Sequence, residues 1–240
     1  MKKITSLAYT CLAAVAMLAA CKKNEFRSVE LQKPGDAANV KLYYYPPQQP
    51  NCYLKLGDDK LGASLFYSLV TPATAGLFES IPSGKQMLRL VIPHTGTNVD
   101  SLQIGSYTTN MEGRKFYSMF VYDTAKNFLV VEDDFSHAKK GYGKFRLANI
   151  QMNVGPIDIR LSNNDSLLIS NVDYGTVSPF IEMPVDVYNI KLFKGGTKTL
   201  LTEIKNFSPL DNKFYTIVAR GWVGQPTASG GPLYTTINNL

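Results

Sequence analysis

The chain writes one strand twice. KFYSMFVYD at 115–123 returns 98 residues later as KFYTIVARG at 213–221. Self-similarity of this kind constrains a fold more than local propensity does, because it sets the number and size of the units. The runs before the two strands align as well. NVKLYYYPPQQPNCYLKL sets Leu42 against Leu147, Leu54 against Ile159 and Leu56 against Leu161 in KFRLANIQMNVGPIDIRL. GLFESIPSGKQMLRLV sets Phe78 against Phe180, Pro82 against Pro184 and Leu90 against Leu192 in SPFIEMPVDVYNIKLF. Each copy is about a hundred residues, the size of an immunoglobulin-like sandwich.

The runs themselves read as strands. SLFYSLV, QMLRLVIP and NFLVVED are rich in β-branched and aromatic residues and stand between Gly, Pro, Asn and Asp clusters; this is the pattern of short strands joined by turns. Beyond residue 38 no segment carries a long stripe of helical period. The expected fold is therefore all-β, two tandem immunoglobulin-like β-sandwich domains over 40–132 and 144–240, joined by a polar linker over 133–143. Leu54, Leu88, Leu90, Ile159, Ile190 and Leu192 should point inward. Tyr117 and Tyr215, each opening its KFY strand, should form a tyrosine corner, with the phenol tied back to nearby backbone.

The amino end predicts where this fold is delivered. MKKITSLAYTCLAAVAMLAAC has two lysines, an uncharged run from Ile4 to Ala20, then Cys21, the plan of a secretory signal peptide over 1–20. LAAC resembles the lipobox of bacterial lipoproteins, which implies that Cys21 becomes the first mature residue and carries the lipid, with 21–39 as a tether. Several acyl chains, at about 0.8 kcal/mol per buried methylene, hold a protein on a bilayer. Localisation in the cell envelope, anchored on either face of the outer membrane, follows as an expectation.

Charge excludes one partner class. The signal removes two lysines and no acid, leaving a formal balance of +4 against the +6 of the whole chain. The surplus is scattered, whereas nucleic-acid binding needs a clustered basic face. No nucleic acid is expected.

Little in the chain points to catalysis. His94 and His137 stand apart in predicted loops and lack metal-ligand spacing. Cys52 is the thiol left once Cys11 departs with the signal and Cys21 is acylated, and in CYLKL it alternates with Leu54 and Leu56 toward a core. GDDK at 57–60, EDD at 132–134 and NND at 163–165 could offer oxygens to calcium, but turn chemistry explains them better. The expectation is no cofactor, no metal and no reaction.

The second copy, RLANIQMNVGPIDIRLSN through PFIEMPVDVYNIKLF to LDNKFYTIVARG, resembles the bacterial envelope lipoproteins catalogued as a domain of unknown function with repeated Ig-like β units. The first copy has no aspartate matching Asp158. The resemblance implies the tandem sandwich and no catalytic residue.

Aromatic residues remain as contact candidates. In YYY at 43–45, period two sends Tyr44 inward and Tyr43 and Tyr45 outward, where they could meet a protein or a glycan. The loop GWVGQPTASGGP holds Trp222, the chain's one tryptophan, with Tyr234 nearby. These four residues are the expected partner-binding set. The function expected is a lipid-anchored, non-enzymatic binding or adhesion module. The alternative is a pilus or surface-assembly subunit, which would need one copy to lack its last strand; NFLVVED and LYTTINN supply one to each.

Overall fold

The computed structural model describes residues 36–240 apart from 48, 95, 98, 126 and 227–229. The signal segment, Cys21 and most of the tether lie outside the described residues.

The described chain is all-β, with eighteen strands and no helix. In the first copy, β1 (Ala37–Tyr44), β4 (Leu69–Thr71), β5 (Glu79–Pro82), β8 (Phe116–Tyr122) and β9 (Asn127–Asp133) form one sheet. Facing it is the sheet of β2 (Cys52–Leu56), β3 (Asp59–Leu65), β6 (Gly84–Pro93) and β7 (Asp100–Met111). The second copy repeats the plan. β10 (Tyr142–Met152), β13 (Thr176–Val177), β14 (Ile181–Pro184), β17 (Phe214–Trp222) and β18 (Leu233–Asn238) make its first sheet. β11 (Ile157–Leu161), β12 (Leu167–Val172), β15 (Tyr188–Lys194) and β16 (Leu200–Phe207) make its second.

The repeat extends to register. Leu42 lies opposite Met119 where β1 runs parallel to β8, and Leu147 lies opposite Ile217 where β10 runs parallel to β17. Leu54 pairs with Leu90 and Ile159 with Leu192 across β2–β6 and β11–β15. Each pair of sheets closes on its own apolar core: Val40, Leu42, Leu54, Leu88, Leu90 and Met119 in the first, Leu147, Ile157, Ile159, Ile190, Leu192 and Ile217 in the second. The tyrosine corners are present in both. The phenol of Tyr117 accepts from the backbone N–H of Glu112 at 2.9 Å, and that of Tyr215 from Leu210 at 3.3 Å.

The two sandwiches pack face to face rather than hanging as separate beads. A third cluster joins Tyr43, Tyr45, Phe120 and Tyr122 of the first copy to Ala148, Ile150 and Val218 of the second. β1, β8, β10 and β17 are thus buried on both faces; β8 answers with a nearly continuous apolar run, whereas β1 carries Lys41 and β10 carries Arg146, Asn149 and Gln151, all buried. Tyr43 and Tyr45 point away from their own core, as the alternation predicts, but they are 0% and 2% exposed. They are not available to an external partner. The face they fill is covered by the second copy.

A polar seam crosses this junction with near-twofold regularity. Arg146 on β10 lies over the ring of Phe180, and Lys41, its counterpart on β1, lies over Phe78. Each cation reaches across: Arg146 to Asp133 at 2.7 Å and Ser118 at 2.8 Å, Lys41 to the carbonyl of Asn239 at 3.4 Å. Asn239 in turn donates to the phenol of Tyr43 at 2.6 Å and accepts from Thr216 at 2.8 Å. Such reciprocal contacts are those of an isologous interface, here within one chain. The linker is part of it. Phe135 sits 5.4–5.9 Å from Phe116 and Phe78, and 5.0–6.0 Å from Phe214 and Phe180.

Candidate functional site

Where the seam reaches the surface, Asp123, Met152, Asn153, Tyr174 and Trp222 line a shallow cleft of about 250 Å³. Turns place three of these side chains. Asp123 follows β8 and Asn153 follows β10, both with left-handed backbone (φ 59° and 64°) that Asp and Asn tolerate better than most residues. Tyr174 stands in the turn between β12 and β13. The next residue, Gly175, has φ 74°, and a Cβ there would come 2.9 Å from the Tyr122 phenol. Glycine is needed for that close approach.

Trp222 ends β17 in register with Met152. Its backbone N–H donates to Gly230 at 2.8 Å, and the N–H of Val223 reaches Met152 at 3.3 Å. Before it, Gly221 has φ 92°, and any Cβ would collide with the Gly231 carbonyl. The tryptophan is therefore held on paired backbone, yet its side chain stays open: Trp222 and Tyr174 are each 39% exposed.

The cleft draws on both copies. Asp123 comes from the first and the other four from the second. Tyr174 packs edge-on to Tyr122 at 5.7 Å and its phenol lies 3.5 Å from Asp123 Oδ2, which also accepts from Asn127 at 3.0 Å. Burial and then the Asp123 charge push the Tyr174 phenol up, so it stays a protonated donor at neutral pH. The arrangement offers a flat aromatic surface beside a carboxylate and an amide. Such a surface suits stacking and hydrogen bonding.

Of the expected contact set, Trp222 alone lines this cleft. Tyr43 and Tyr45 lie inside the seam. Tyr234 is partly buried against the second core, away from Trp222 across the β17–β18 pair, and burial raises its phenol. Cys21 lies outside the described residues. Sequence reasoning missed Asp123, Asn153 and Tyr174. The only trace of them was turn chemistry, in YDTAKN, MNVG and VDYGT.

The other candidates have structural partners. Cys52 is buried, its thiol donating to the Tyr44 phenol at 3.3 Å, and burial pushes its pKa up. Asp58 meets Arg89 at 3.1 Å, Asp165 meets Arg160 at 3.5 Å, and Asp134 takes the N–H of Ser136 at 2.9 Å. His94 and His137 are exposed. Among the described residues no three His, Cys, Asp or Glu side chains gather as metal ligands, and no helix is long and apolar enough to cross a membrane.

No family model matches the chain. No curated protein matches it either. Among solved structures, it is similar to a chain from Bacteroides fragilis NCTC 9343 described as a "putative cell adhesion protein". Identity is 10%, the match covers 85% of this chain and 98% of that one, and the TM-score is 0.20. A likeness of that size carries no conclusion about function.

Proposed function

We propose that this protein is a non-enzymatic binding module of the bacterial cell envelope, lipid-anchored through Cys21 and engaging its partner at the Trp222 cleft. One observation carries the reading: the chain's single tryptophan is held open on hydrogen-bonded backbone at the junction of two packed domains. Tryptophan and tyrosine are among the residue types that most often dominate binding energy once a partner covers them. Domain junctions are also a preferred place for ligand sites. The strand β1 begins at Ala37, inside the tether expected over 21–39, so only the part of that tether before β1 would give the paired sandwiches reach from the bilayer. Strand exchange gains no support, because β9 and β18 complete the first sheet of each copy.

Two measurements test this. Cys21→Ser should move the protein from the membrane fraction to the soluble one, and retention of the variant in membranes overturns the anchor. Separately, Trp222→Ala should reduce retention of the soluble 22–240 chain on isolated envelopes while leaving its melting temperature within a degree or two. Unchanged retention, or a fall of many degrees, makes Trp222 structural and removes the site.

A further inference from the structure

The cleft also carries enough chemistry to name a ligand class, an inference that rests on the binding reading above. Asp123 Oδ2 is occupied by Asn127 and Tyr174, but Oδ1 receives no hydrogen bond from any described residue. The Asn153 amide stands exposed beside it. A sugar ring has an apolar C–H face and a rim of hydroxyls. The face suits an exposed indole, and a hydroxyl donates strongly to a free carboxylate oxygen.

Two alternatives fit less well. None of the five described lining residues is Lys or Arg, so an acidic ligand would meet the Asp123 charge with no counter-charge among them. A peptide adding as a strand needs unpaired backbone. Here Met152 and Trp222 already pair with each other, and Trp222 bonds Gly230. We propose that the cleft binds a neutral glycan, with one hexose ring stacked on Trp222 and its hydroxyls bonded to Asp123 and Asn153. The volume of about 250 Å³ admits one ring of a longer chain.

Because Trp222 is the only tryptophan, its fluorescence reports on the site directly. The folded 22–240 chain is titrated with neutral oligosaccharides of glucose, mannose, galactose and N-acetylglucosamine, and with oligogalacturonate and an uncharged hexapeptide as contrasts. At least one neutral sugar should shift the emission and saturate at roughly millimolar concentration. Asp123→Asn keeps the reporter and tolerates the left-handed backbone; it should weaken the response about tenfold. No shift with any neutral sugar, or a shift with oligogalacturonate or the peptide alone, overturns the proposal. Envelope retention separates this failure from failure of the binding reading. Trp222-dependent retention that survives periodate but not proteinase leaves a binding module whose ligand is protein. Loss of retention after periodate supports the glycan.

Discussion

Arg146 Nη1 stands 2.7 Å from Asp133 Oδ1, and the two side chains, one from each copy, are almost wholly closed to water. The guanidinium is satisfied on its remaining edges by Ser118 at 2.8 Å and Thr216 at 3.1 Å, while Ser118 also donates to Asp133 at 2.7 Å. Burial pushes the Asp133 carboxyl up, and Arg146, Ser118 and Lys41 pull against that shift. A buried pair of this kind contributes little net stability, yet it penalises any docking of the two sandwiches that leaves either charge alone.

Arg146→Met should therefore cost about 3–5 kcal/mol, because it strands Asp133 inside the seam. Adding Asp133→Leu should recover most of that loss. Urea denaturation of the two variants beside the parent measures it. A single variant within about 1 kcal/mol of the parent would mean that water reaches the seam.

The seam should also fail at high pH. Burial raises the Tyr43 phenol from 10.0 to about 12, with the nearby Arg146 cation opposing, and it raises Tyr45 as well. A phenol whose folded pKa exceeds its unfolded one favours the fold while it is protonated. Its contribution is thus complete below pH 10 and is lost as pH rises through the folded value near 12. Melting temperatures taken across this window should fall, and Tyr43→Phe should flatten the fall. An equal slope in both proteins would place the alkaline loss elsewhere.

Cys52 should be silent in the native state. The thiol is 0% exposed and burial raises its pKa, so both access and thiolate fraction are low. With residues 1–20 removed and Cys21→Ser, it is the one thiol left, and a thiol reagent should label it only on unfolding. Rapid labelling of the folded chain would shift the register of β2 by one residue, which would turn its whole inward set outward.

The two tyrosine corners allow an internal comparison. Tyr117→Phe and Tyr215→Phe each leave a backbone N–H without its acceptor, at about 1–3 kcal/mol apiece. The shorter bond, 2.9 Å to Glu112 against 3.3 Å to Leu210, makes Tyr117 the more costly loss. Separate denaturation of the two variants checks the order.

Much of this architecture was legible in the residues because strands alternate. Period two assigned Leu54, Leu88, Leu90, Ile159, Ile190 and Leu192 to the inside, and all six are buried. The same alternation placed Tyr43 and Tyr45 on the far side of β1, correctly. It could not say what lies there, because parity distinguishes two faces of a sheet and not water from a second domain. One signal went unread: FYSMFVY and FYTIVARGW carry large apolar residues on both parities, interrupted only by Ser118, Thr216 and Arg220, a pattern that marks a strand covered on both sides. The linker misled for a related reason. EDDFSHAKKGYG is polar on average, but its one phenylalanine settles among four others.

What the sequence determined by itself is the local and repeated part: most strand positions (SLFYSLV is divided by a turn at Phe66–Ser68 between β3 and β4), the duplication with its register, the inward face of each strand and the two corners. All of these depend on residues close together in the chain or on one copy echoing the other. Only the tertiary structure decided that Lys41, Asp133 and Arg146 are buried, that Tyr43 and Tyr45 are unavailable, and that Asp123, Asn153, Tyr174 and Trp222 share one cleft. Those relations depend on how two finished surfaces dock. Docking is set by shape and charge complementarity summed over residues up to about two hundred positions apart, Tyr43 and Asn239 among them, and no local pattern encodes that sum.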